Sequence, residues 1–225
     1  MTSSVDTTAT SIERDNLHTE ELFVEHYSDR DWNRYRALLS GIVTYAPPGK
    51  ILDLGCGLGF LIECARQFNF DAEGVEGSAY AVEQCRKKGL KVHEQLLSER
   101  LPYENETFAA IVVNQVIEHI PNQVANFVFA EAHRVLKPSG IIIIKSPSKF
   151  HPTERNEESH INLYATSQLL NDVSRAGFML VNRSNSYRDF GIGRAGVLFS
   201  RLFSKFVPSD YFYSSANCIA RKPER

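Results

Sequence analysis

Residues 50–60 read Lys50-Ile51-Leu52-Asp53-Leu54-Gly55-Cys56-Gly57-Leu58-Gly59-Phe60, and the fold class follows from this stretch. Ile51 to Leu54 is a short apolar run that ends on glycines, the mark of a strand entering a turn. Leu61 to Phe68 then recurs at helical spacing. A glycine turn between strand and helix lets a ligand approach the backbone closely, because no Cβ blocks it, and the helix N-terminus beyond it favours polar ligands. The dinucleotide fingerprint G-x-G-x-x-G separates its last two glycines by two residues. Here Leu58 alone separates Gly57 from Gly59.

Outward from that turn the alternation repeats. Ala72 to Val75 reads as a strand, Ala79 to Lys88 as a helix, Lys91 to Glu94 and Ala110 to Val113 as strands, and Phe127 to Leu136 as a helix. Ile141-Ile142-Ile143-Ile144 has no polar alternation. Burying each such side chain contributes about 1.5–3 kcal/mol, which predicts a central strand. Thr166 to Ala176 predicts a helix stopped by Gly177, with strands at Phe178 to Asn182 and Asn217 to Ala220. Strands alternating with helices imply a parallel sheet covered on both faces.

Before the turn, Leu22, Phe23, Tyr27, Tyr35, Leu38, Leu39 and Ile42 recur at helical spacing, and Pro47-Pro48-Gly49 stops the pattern. After the sixth strand, Arg183 to Ser215 is longer than connections usually are, with Leu198, Phe199, Leu202, Phe203 and Phe206 on one helical face. The first residues are rich in Ser and Thr without an apolar segment, so 1–19 is expected to be a disordered tail and not a secretion signal.

The 225 residues have the length of one domain. A net charge of −2 gives no reason to expect a nucleic-acid partner. Four cysteines without a C-x-x-C pair disfavour zinc and a disulfide framework, so a reducing, cytoplasmic setting is expected. The longest purely apolar run is four residues, against the roughly 20 needed for a membrane span.

Several ordered landmarks accompany the glycine turn. They are Gly74-Val75-Glu76-Gly77 after the second strand, Leu101-Pro102-Tyr103 to Thr107-Phe108 before the fourth, Glu118-His119-Ile120-Pro121 after it, and Arg134-Val135-Leu136-Lys137-Pro138-Ser139-Gly140 before the fifth. Together with Asp53-x-Gly55-x-Gly57-x-Gly59 they resemble the class I S-adenosylmethionine-dependent methyltransferases from about Tyr27 onward. Within that family the chain is similar to the ubiquinone-pathway O-methyltransferases. The resemblance implies an α/β fold: a Rossmann-like, seven-stranded, mostly parallel sheet with helices on both faces and a reversed last strand. It implies one domain over 20–225, with a helical lid at 20–46 and an insertion at 183–215.

It also implies S-adenosyl-L-methionine as cofactor. Asp53, Gly55, Cys56 and Gly57 correspond to the loop at its methionine end, and Glu76 with Gly77 to the acid that holds both ribose hydroxyls. Asn114, just past the fourth strand, is expected to bind the cofactor as well. The family often carries Asp where Leu97 stands, near the adenine amino group, and Asp where Ala109 stands. Adenine contacts are therefore expected from the backbone of Leu97 and Ser98.

For the acceptor, His119 lies just past the fourth strand, at the sheet edge where ligands of open α/β sheets collect. It is the first candidate for a base, with helix capping as the alternative. His160 is a second candidate, and His151 a loop residue of the acceptor pocket. Tyr27, Trp32, Tyr164 and Arg188 complete the expected acceptor contacts. Relatives that bind a metal use Glu-x-x-Glu-His; here Gln115 replaces the first acid, and no metal is expected. The expected activity is methylation of an oxygen or nitrogen on a small molecule of secondary or cell-surface metabolism. The alternatives are a protein or RNA acceptor, or a silent partner protein binding through the face around Phe199 and Phe203. Oligomeric state stays open.

Overall fold

A computed structural model describes residues 5–20, 23, 31–183, 185–187, 190–191, 193–206 and 209–224. Tyr27 and Arg188 lie outside the described residues, as does part of the expected lid. Seven strands form one sheet in the order β3-β2-β1-β4-β5-β7-β6. They are β1 (Ile51–Leu54), β2 (Ala72–Glu76), β3 (Val92–Glu94), β4 (Phe108–Asn114), β5 (Leu136–Pro147), β6 (Met179–Asn182) and β7 (Ser215–Arg221). β7 runs antiparallel between β5 and β6, and every other pairing is parallel. The expected α/β sheet with a reversed last strand is what forms.

Residue alternation divides the core into two layers. Leu52, Leu54, Ile111, Val113, Ile142, Ile144 and Cys218 face α5 (Asn122–Val135) and α6 (Thr166–Arg175). Ile51, Ala110, Val112, Ile141, Ile143 and Ile219 face α2 (Trp32–Tyr45) and α3 (Phe60–Gln67). The Ile141–Ile144 run is therefore buried on both sides, as an uninterrupted apolar strand requires. α4 (Ala79–Lys87) joins β2 to β3. No helix among the described residues is long and apolar enough to cross a membrane.

Residues 1–19 were expected to be a disordered tail, and that expectation needs correction. Thr7–Asp15 forms a helix, α1, started by the Asp6 carboxylate accepting the Thr8 N–H at 2.7 Å. Ile12 is exposed, while Ala9 and Glu13 are buried against the domain. Polar contacts hold the segment: the Asn16 side-chain amide donates to the carbonyls of His119 (2.5 Å) and Ser159 (3.0 Å). The connection between β6 and β7 carries α7 (Arg194–Phe203). Its face with Leu198, Phe199, Leu202 and Phe203 is exposed, and Phe199 stacks on Phe203 with centroids 4.1 Å apart.

Candidate functional site

The C-terminal ends of β1, β2 and β4 converge on the glycine turn. Gly55 has φ +68°, and a Cβ there would lie 2.6 Å from Val116, so the turn is closed to other residues at this point. The N–H groups of Gly55 and Cys56 donate to Val75 O and pin the turn to β2. From the end of β2, Glu76 reaches back across it. One carboxylate oxygen accepts the Gly57 N–H and the other the Ser78 N–H, both at 2.8 Å.

Two acids thus share one buried place. Burial, and then the charge of Glu76, push Asp53 up to about 8. Burial also raises Glu76, opposed by the N–H groups of Ser78 and Gly57. Each acid is held where ionisation is unfavourable in the absence of a cation, the situation a positively charged ligand relieves. Asn114, at the end of β4, has its Oδ1 buried with no hydrogen-bond partner among the described residues. Left-handed glycines, an unpaired buried carbonyl oxygen and two crowded carboxylates fit a cationic nucleoside ligand with polar ends.

Among the described residues, three cavities border this edge. The first, about 490 Å³, is bordered by Glu13, Glu76, Gly77, Leu97, His119 and Ile120. The second, about 380 Å³, is bordered by Tyr35, Asp53, Cys56, Gly57, Phe60 and Asn114. The third, about 670 Å³, is bordered by Arg34, Asn114, Lys145, Ser146, His151 and Asn217 among others. Asn114 borders the second and third. Burial, and then the charge of Arg34, lower Lys145.

Most of the residues expected at the cofactor meet here, with differences in how they are used. The Cys56 side chain packs with Ile62, Cys85 and Leu90, and the residue borders the second cavity. The N–H groups of Leu97 and Ser98 are already engaged, donating to the two oxygens of Glu13 at 2.6 and 2.9 Å.

The acceptor expectations divide. His151 borders the third cavity, its Nδ1 accepting the Glu154 N–H at 3.2 Å. Tyr164 does not belong to the site: it is fully buried in the core beside Leu169, and its hydroxyl accepts from the Asn122 side chain at 3.2 Å. Trp32 packs on the α2 side of the sheet and borders none of the three cavities; Tyr35, three residues on, does. His119 borders the first cavity, not the third, with its Nδ1 at 3.1 Å from Ser159 O and its ring between those of His18 and His160. Burial and the two neighbouring imidazoles push it down to about 3, so it is neutral. His160 borders none of the three cavities; its Nδ1 lies 2.7 Å from Glu154 O.

Glu118 is fully buried, and neither carboxylate oxygen has a hydrogen-bond partner among the described residues. Burial pushes it up to about 8. Glu118, His119 and His160 each offer one ligand atom within 4.8 Å of the others, a donor set that could hold a cation although Gln115 supplies no acid.

Comparison with known proteins bears on this arrangement. A family model described as a methyltransferase domain matches residues 24–182. The ubiquinone biosynthesis O-methyltransferase of Pelagibacter ubique is 28% identical over 104 residues, 44% of this chain and 42% of that protein. The chain spans about two fifths of the length of the curated relatives it matches. Among solved structures, a SAM-dependent methyltransferase from Archaeoglobus fulgidus superposes with a TM-score of 0.67 at 15% identity, covering 91% of this chain and 100% of that one. The cyclase SpnF superposes at 0.64 with 21% identity, covering 86% and 81%. At these identities the likeness is one of fold.

Proposed function

This chain belongs to the methyltransferase-domain family, and from that premise we propose that it transfers a methyl group from S-adenosyl-L-methionine to an oxygen or nitrogen of a small, polar, anion-bearing molecule. The observation that carries the reading is Asn114, which borders both the cavity beside Asp53 and the polar cavity of Arg34 and Lys145. Donor and acceptor held in those two cavities meet at one residue.

The cofactor supplies a methyl group already activated on a sulfonium, so alignment is the main demand on the protein, and orientation is worth about 7–11 kcal/mol of barrier. Asp53, Gly55, Gly57 and the backbone of Cys56 hold the methionine end, with Asn114 alongside. Glu76 accepts from both ribose hydroxyls beside Gly77, a task that suits a carboxylate. Leu97 and Ser98 border the base.

On the acceptor side, Arg34 and Lys145 have no ion-pair partner among the described residues, while Glu154 leans toward His160 at 3.6 Å. Two neighbouring cations, not ion-paired to the Glu154 carboxylate that borders the same cavity, favour an acceptor that carries carboxylate or phosphate, with His151 as a further contact. Neither His119 nor His160 borders this cavity, so we do not assign them to taking the acceptor's proton.

The test is incubation with methyl-labelled S-adenosyl-L-methionine and cell extract separated into metabolite, protein and RNA fractions. S-adenosylhomocysteine should form and label should collect in anionic metabolites. Label in protein or RNA alone would overturn the acceptor assignment. The exposed face of α7 favours a second reading, a partner-binding protein on this fold, which would show as cofactor binding with no S-adenosylhomocysteine formed from any fraction.

A further inference from the structure

Two acids border the first cavity: Glu76, at the end of β2, and Glu13, delivered by α1 from 84 residues before Leu97 in the chain. Gly77, Leu97, Val116 and Ile120 supply apolar lining beside the polar His119 and Gln115. Gly77 has no side chain to offer, and Leu17 fills the place: a Cβ on Gly77 would come within 2.7 Å of Leu17 Cδ2.

Glu13 is 3% exposed and accepts one N–H on each oxygen, from Leu97 and Ser98. A carboxylate has about four acceptor positions, so two remain after those bonds. In this position Glu13 borders the same cavity as Glu76. Two acceptor carboxylates on one partly apolar cavity match a ribonucleoside, whose hydroxyls suit one acid and whose base, where it presents an amino group, suits the other.

We infer that Glu13 reads the amino group of the adenine base, supplying from α1 the acid that Leu97 cannot. The inference rests on the cofactor reading above. The N-terminal segment is on this account part of the cofactor site, and base specificity depends on it.

Calorimetry on the full chain tests it with two ligands, S-adenosylhomocysteine and its deaminated analogue S-inosylhomocysteine, whose base carries an oxygen where the amino group was. The wild type should prefer the adenosyl ligand at least about tenfold, as expected for loss of one hydrogen bond to a charged group. Glu13→Leu and Glu13→Gln should lose about 10–100-fold in adenosyl affinity and most of the preference, with circular dichroism confirming the fold. Glu76→Gln should weaken both ligands alike and keep the preference. Wild-type discrimination that survives in both Glu13 variants, or tighter adenosyl binding by either, overturns the inference while leaving the cofactor reading intact. Failure of the wild type to bind either ligand overturns both.

Discussion

The two ends of the cleft are built differently. On the β2–β1–β4 side, the turn and its acid are fixed by backbone bonds within one strand–helix–strand unit: Glu76 to Gly57 and Ser78, the turn to Val75. On the β4–β5–β7 side, the polar cavity collects Arg34 from α2, Lys145 from β5, His151 from a loop and Asn217 from β7. The first end is stiff and specified locally, the second assembled from distant parts. A stiff donor site beside a composite acceptor site lets acceptor chemistry change without disturbing cofactor binding, as loops on a rigid scaffold generally allow.

The largest effect should come from breaking the stiff end. Glu76→Ala removes the proposed diol acceptor and leaves the Gly57 and Ser78 N–H groups without their partner. Unsatisfied buried donors cost about 1–3 kcal/mol each. Affinity for S-adenosylhomocysteine should fall by at least about 100-fold in calorimetry, and full retention would remove Glu76 from the site.

Asp53→Asn should separate binding from stability at that end. Asp53 titrates near 8 in the fold, above an ordinary carboxyl, so the folded state keeps a proton that the unfolded chain has released. Its contribution is fully present below the ordinary carboxyl pKa of about 4 and is lost as pH rises toward 8. The ligand-free wild type should therefore melt lower at pH 8 than at pH 5, and the Asn variant should narrow that gap. About 2–4 °C is expected per kcal/mol recovered in a domain of this size. Cofactor affinity should fall in the same variant, and an unchanged melting gap would remove Asp53 as the cause.

At the composite end, Arg34→Gln and Lys145→Gln should raise the acceptor KM by about tenfold each, as for loss of a charge-assisted contact. Affinity for S-adenosylhomocysteine should stay within about twofold of wild type. If cofactor affinity falls as far as acceptor KM rises, the two ends are not independent.

The same contrast decides how much could be read from the sequence. The turn at Gly55, the acid at Glu76 and the Ile141–Ile144 strand were legible because each declares itself within a few residues. β5 begins earlier than the Ile run, at Leu136, since Pro138 to Gly140 continue the strand and do not end the helix. α1 was illegible because its sequence has almost no apolar periodicity and its anchors, Glu13 and Asn16, bind backbone groups more than 80 residues away. Arg34 and Lys145 were passed over for a similar reason: alone each reads as a solvated charge, and only the fold brings them to one cavity.

Tyr164 shows the converse error, and the smallest prediction tests it. It was expected in the acceptor pocket because it follows His160-Ile161-Asn162-Leu163 in a loop, yet the β-bridge from Ser148 to Tyr164 draws the ring inward beneath the sheet. Its hydroxyl accepts from the Asn122 side chain, at the start of α5, at 3.2 Å. Tyr164→Phe therefore removes one buried hydrogen bond and leaves the packing in place, a loss of about 0.5–1.5 kcal/mol in stability. The two cavities that meet at Asn114 do not include it, so kcat/KM for both substrates should be unchanged. A tenfold fall in kcat/KM at wild-type stability would return Tyr164 to the site and extend the composite end past the sheet edge to the loop after β5.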